Sequence, residues 1–150
     1  MLATSRRHQV LRPLVVLMSV AFVVSVVHYI DNTVNYADFP QAEPGSRLPN
    51  PSVQLVAGGW FFFTAFGVLG LWLFVRGRIT AAAIAIAVYS GSGLVGFGHY
   101  AVPDATDMVW WRQTHVIIDI TCGIAILGFA LWAAIKLPHR PKDAAPRVPA

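Results

Sequence analysis

VQLVAGGWFFFTAFGVLGLWLFV (Val53–Val75), Arg76-Gly77-Arg78, ITAAAIAIAVYSGSGLVGFG (Ile79–Gly98): two apolar runs without a single acid or base, separated by three residues that hold two arginines. Each run reaches the roughly 20 residues that a helix rising about 1.5 Å per residue needs to cross about 30 Å of hydrocarbon. In lipid the backbone must satisfy its own hydrogen bonds, so runs of this length are expected to be helices. A three-residue link leaves them no choice but to lie antiparallel and side by side.

Working outward, the same signature appears twice more, in Leu14–Ile30 and in Val116–Ile135. The expected fold is an all-α integral membrane protein, an antiparallel four-helix transmembrane bundle with helices at about 10–30, 53–75, 79–98 and 115–136. Hydrophobic residues make up 56% of the chain and charged residues only 12%, about half the charge that a water-soluble surface carries. Mean hydropathy is +0.60. These values exclude a soluble nucleic-acid binder, although the net charge of +4 taken alone would suggest one.

The basic residues sort by segment. Three precede the first helix (Arg6, Arg7, Arg12), one lies in the first loop (Arg47), two in the second (Arg76, Arg78), one in the third (Arg112) and four in the tail (Lys136, Arg140, Lys142, Arg147). By the positive-inside rule both termini and the second loop are expected in the cytoplasm and the other two loops outside. Ser5-Arg6-Arg7 resembles the start of a secretory leader, but no small-residue cleavage site follows the apolar run, so an uncleaved first helix is expected. Residues 1–9 then form a cytoplasmic N-terminus. Residues 31–52, with Pro40, Pro44, Gly45, Pro49 and Pro51, read as an irregular outer loop able to lie across the bundle mouth. Residues 137–150, with four prolines among charges and alanines, read as a disordered cytoplasmic tail. Arginine-rich, alanine-rich and valine-rich usage points to a bacterial plasma membrane. The bilayer is the expected partner, with a homo-oligomer or a membrane complex also open.

Cys122 is the only cysteine, so neither a disulfide nor a thiolate metal site is available within the chain. Glycines recur on the second helix (Gly58, Gly59, Gly67, Gly70) and the third (Gly91, Gly93, Gly96, Gly98). Membrane helices pack by close backbone approach, so these are expected at helix contacts.

An ionisable side chain at the centre of a span costs about 2.5–3.5 kcal/mol on insertion scales, so each one asks for a reason. With the topology above, His28 and Asp31 end the first helix, His99 ends the third, and His115 and Asp119 begin the fourth, all at one membrane depth. Helical phase sharpens the convergence. Ser25, His28 and Asn32 share a stripe on the first helix, Tyr89, Ser92, Gly96 and His99 on the third, and His115, Asp119 and Cys122 on the fourth. Asp119 is expected to take the His115 N–H or to pair with Arg112. Gln54, Asn32, Tyr100 and Arg112 are supporting candidates.

Three functions follow from such a cluster. Nitrogen and oxygen ligands suit a transition metal (Zn, Cu or Fe), or haem held between two histidines. Alternatively the cavity takes a small lipophilic ligand, on which His and Asp act as acid and base in an enzyme. In the third, the cluster is structural and the chain is an assembly subunit. A transporter is disfavoured, because no span is broken by proline at its centre.

Four helices with both ends inside and a long proline-rich first outer loop containing Tyr36–Pro40 (YADFP) form a layout similar to that of the emopamil-binding and sigma-2 receptor membrane proteins. The resemblance implies acidic residues inside a lipid-accessible cavity. It lies in helix order and loop length, so no site residue and no isomerase activity is carried over from it.

Overall fold

The computed structural model describes residues 2–48 and 50–137, with side chains from Gln9 onward. Four long helices account for most of it: α1 (Leu2–Val34), α2 (Val53–Val75), α3 (Ile79–Leu94) and α4 (Trp110–Lys136). The described residues contain no strand. Four segments are long and apolar enough to cross a membrane: Gln9–Val34, Val53–Val75, Ile79–Ala101 and Trp110–Lys136.

Local chemistry accounts for the helix ends. Ser52 caps α2 by accepting the Leu55 N–H on its hydroxyl, which satisfies one of the donors left free in a first turn. At the other end Gly77 turns left-handed (φ +75°). Its N–H donates to the Phe74 carbonyl and that of Arg78 to the Leu73 carbonyl, the paired bonds that close a helix around a glycine. The chain reverses there into α3, as the three-residue link requires. α3 does not stop at Leu94 but tightens into a 3-10 helix, Val95–Ala101.

Hydropathy located the four long helices and misplaced some of their ends. α1 begins at Leu2 and α4 at Trp110, earlier than the expected 10 and 115, because polar helical turns carry no hydropathy signal. Leu137, assigned to the tail, is buried against the core. The rest of the expected disordered tail lies outside the described residues, as do Met1 and Pro49.

Each helix packs on its sequence neighbours, and α1 also packs on α4, which closes a ring with α3 diagonal to α1. The closest approach is between α3 and α4. A Cβ on Gly93 would run into the Asp119 carbonyl, and one on Gly123 would sit 2.9 Å from the Ser90 carbonyl. The main core fills the half of the bundle near Gly77, around Leu14, Phe74, Ile86 and Ile126. A smaller cluster of Phe39, Met108, Val116 and Ile120 closes the opposite end. That opposite end, where α1 and α3 finish and α2 and α4 start, carries the polar residues and is called the pocket end below. Residues 35–48 and 50–52 lie at that end, with a short 3-10 turn at Tyr36–Asp38.

Candidate functional site

α1 and α4 run antiparallel past each other at the pocket end, and their polar residues meet in register. Asp31 meets His115 and, three residues deeper on α1, His28 meets Asp119, four residues deeper on α4. Three residues rise about 4.5 Å and four about 6 Å, so the two contacts stack as rungs. His99 arrives from the 3-10 extension of α3. Ring centroids lie 5.5 Å apart for His28 and His99 and 5.4 Å for His28 and His115. The structure thus brings together all three histidines singled out from phase and topology, together with Asp31 and Asp119.

The partners differ from those expected. Asp119 bonds to His28, Oδ2 to Nδ1 at 2.7 Å, and both side chains are 2% exposed. It pairs with neither His115 nor Arg112. Arg112 lies seven residues, about 10.5 Å of rise, before Asp119, level with the end of α1. There its Nε is 2.9 Å from Asp31 Oδ2, and its terminal nitrogen is 3.3 Å from Asp38 Oδ2. Asp31 also accepts from Asn35 at 2.7 Å and lies 3.0 Å from His115 Nε2. Two layers result. The deep one is Asp119, His28 and His99; the shallow one is Asp31, Arg112, Asp38 and His115.

Phe39, not singled out from the sequence, packs against both the Arg112 guanidinium and the His99 ring. It is fully buried, its ring centroid lies 4.9 Å from that of His99 and 6.4 Å from that of His28, and the Arg112 guanidinium stacks on it at 4.8 Å. An aromatic between Asp38 and Pro40 in a polar loop was the available signal, since an exposed loop has no use for it. Asp38, the residue before Phe39, holds Arg112 from the loop.

In the deep layer the hydrogen bonds form a line. His28 Nδ1–H donates to Asp119, and His28 Nε2 faces His99 Nε2 at 3.4 Å. The Asn32 amide reaches the same His99 nitrogen at 3.1 Å. If Asn32 donates there, the proton between the imidazoles belongs to His28. If its oxygen faces His99 instead, that proton belongs to His99 and His28 accepts. Rotating one amide moves between the two, and the proton shared by the imidazoles moves with it. Both described hydrogen bonds of His99 run through Nε2, which leaves Nδ1 for the cavity it lines.

That cavity has a volume of about 720 Å3, within the range of sites for drug-sized ligands. Its walls are α1 at His28 and Asn32, the loop at Phe39 and Ala42, α2 at Phe62 and Phe63, and the α3 extension at His99. Gly58, Gly59 and Gly98 also line it, and a Cβ on any of them would meet nothing within 4 Å. These three glycines were expected at helix contacts and are not there; Gly67, Gly70, Gly91, Gly93 and Gly96 are.

Among the supporting candidates, Asn32 and Arg112 take part as described. Tyr100 packs against the Phe39 cluster with its buried hydroxyl unpartnered. Gln54 is exposed on α2 and makes none of the cluster's hydrogen bonds.

Two axial imidazoles on a haem iron need their nitrogens about 4 Å apart, about 2.0 Å on each side; 3.4 Å between the facing nitrogens leaves no slot for the macrocycle. The same spacing suits two ligands of a tetrahedral ion. Yet among the described residues no three His, Cys, Asp or Glu side chains are arranged to close around a metal.

The fold and site together define an all-helical bundle with an apolar pocket whose wall includes His28 and His99, with Asp119 behind His28. No family model, curated protein or solved structure matches the sequence. The likeness in layout to the emopamil-binding proteins is therefore joined by no sequence match, and the functional reading stands on the site's own chemistry.

Proposed function

We propose that this chain is a four-span membrane protein that takes a small lipophilic molecule into the cavity and holds its polar end against His99 and Asn32, with His28 behind His99. The observation that carries the reading is the cavity wall itself: an apolar volume of about 720 Å3 with two imidazoles in hydrogen-bond reach of each other. Concave apolar walls with a few convergent polar groups are the general form of small-molecule sites.

Membrane residence is supported by the outside of the bundle. Val16, Val23, Ile30, Phe61, Val68, Ile84, Ile124 and Leu131 all face outward, a surface that only hydrocarbon would cover comfortably. Trp110 and Trp111 are exposed at the pocket end and Trp72 and Trp132 toward the other, as interfacial belts would require. Charge asymmetry favours both termini and Gly77 in the cytoplasm and the pocket end outside, and arginine-, alanine- and valine-rich usage favours a bacterial plasma membrane.

The 2.7 Å contact of His28 with Asp119 favours a further step, acid–base chemistry on the bound molecule. A carboxylate behind an imidazole fixes its tautomer and supports a proton on its far side. His99 would deliver or accept the proton at the substrate and return it through His28.

Organic extraction of protein purified from membranes tests binding. A lipophilic compound near one per chain is expected in wild type, with strong depletion in Gly59→Leu, whose side chain would fill the cavity. Equal recovery from both proteins would leave the cluster a structural one.

A further inference from the structure

Resting on the pocket reading, we infer that the bound molecule is uncharged, a hydrocarbon body ending in a hydroxyl or carbonyl oxygen, and that neither an acid nor an amine is accepted. The residues lining the cavity include no Asp, Glu, Lys or Arg. Arg112, the cation on the far side of Phe39, is committed to Asp31 and Asp38 and sandwiched between the Phe39 and Trp111 rings. Among the described residues no Lys or Arg therefore faces the cavity to receive a carboxylate, sulfate or phosphate head, and a charge buried without a partner is expelled to water. Asp119, behind His28, adds repulsion for an anion. A cationic head fares no better, because His28 stands between it and the Asp119 carboxylate, and Asp31 is already taken by Arg112, Asn35 and His115.

The remaining polar groups set what the head must be. Tyr29 donates its hydroxyl to the Ser92 carbonyl, Tyr36 to the Pro51 carbonyl, and Gln41 its amide to the Tyr36 and Phe39 carbonyls. Asn50 lies at the exposed rim. That leaves His99 and Asn32, a group that can both donate and accept beside an amide that can do the same, which together match one neutral oxygen. For the body, Leu55, Phe62 and Val95 line the cavity and are themselves more than half exposed. In a membrane span that opening faces acyl chains, so the hydrocarbon end need not be enclosed. Gly58, Gly59 and Gly98 set the girth of the space between α2 and the α3 extension, since each is open where a side chain would stand.

Three probes with one tail separate the alternatives: dodecanol, dodecanesulfonate and dodecylammonium, added below their aggregation limits to the full chain in detergent. Binding is read by native mass spectrometry and by thermal melting, in wild type, Gly59→Leu and Gly98→Leu. The expected result is one dodecanol per chain, bound at least about tenfold tighter than either charged probe, and lost in both variants while their ligand-free melting stays at the wild-type temperature. If a charged probe binds as tightly as dodecanol and the leucine variants remove both, the pocket stands and the inference about charge is overturned. Should no probe bind, or should binding persist undiminished in both variants, the pocket reading falls and the inference with it.

Discussion

Arg112 and Asp119 show how differently two buried charges can be managed within two turns of one helix. Arg112 is held by Asp31, which is 7% exposed, and by Asp38, which is 62% exposed. Arg112→Ala leaves the Asp31 carboxylate buried with only Asn35 and His115, and a loss of about 3–5 kcal/mol is expected. Asp38→Asn removes a contact that water can replace, and less than about 1 kcal/mol is expected; equal losses in thermal or denaturant unfolding would contradict this division. Asp119→Asn nearly preserves shape and should leave the protein folded, while ligand affinity or turnover falls by about 10- to 100-fold, as for other carboxylates that orient a working histidine. A double-mutant cycle should show coupling of about 0.5–3 kcal/mol between Asp119 and His28 and almost none between Asp119 and Arg112. Which histidine Asp119 would choose was not legible in the sequence. Stripe periodicity puts His115 and Asp119 on one face, but it says nothing of the α1–α4 register, and the register decides that Asp119 lies level with His28.

At the scale of the element, the α3–α4 crossing and the loop over the pocket matter most. Gly93→Ala places a methyl group against the backbone of α4 at Asp119, where no side chain can rotate away. The loss should reach or exceed the about 1–3 kcal/mol of ordinary overpacking. Gly98→Ala, facing open space, should be close to neutral, so a similar loss in both would argue against the assigned roles. Glycine spacing alone cannot tell these cases apart, because a glycine that admits a helix and one that admits a ligand look alike until the third helix is placed. The loop was legible as irregular and as long enough to cross the bundle end. Its anchoring through Phe39 was not, since one aromatic in a proline-rich stretch has no periodicity to reveal a buried face. Phe39→Ala should cost about 3 kcal/mol or more through the lost ring. It should also expose His28 and His99, which accelerated modification of histidine by diethyl pyrocarbonate would detect.

For the whole molecule, helix number and the gathering of the histidines at one end of the bundle were legible because hydropathy reports the environment of entire segments and successive helices alternate in direction. Topology reporters should place Gly45 and Ala105 outside and Gly77 and Ala150 in the cytoplasm; an outside signal at Gly77 would remove the membrane orientation on which the pocket's location depends. In the proposed pocket, ligand, His99, His28 and Asp119 form one hydrogen-bonded site, while His115 is held to Asp31. Nitrogen-15 NMR of histidine-labelled protein tests it most directly, as whichever dodecyl probe binds is titrated to saturation. The ring nitrogens of His99 and His28 are expected to shift together with probe occupancy and those of His115 to shift less, and Asp119→Asn is expected to alter the His28 signals before any probe is added. Probe binding that moves His115 while leaving His99 and His28 unchanged would contradict it.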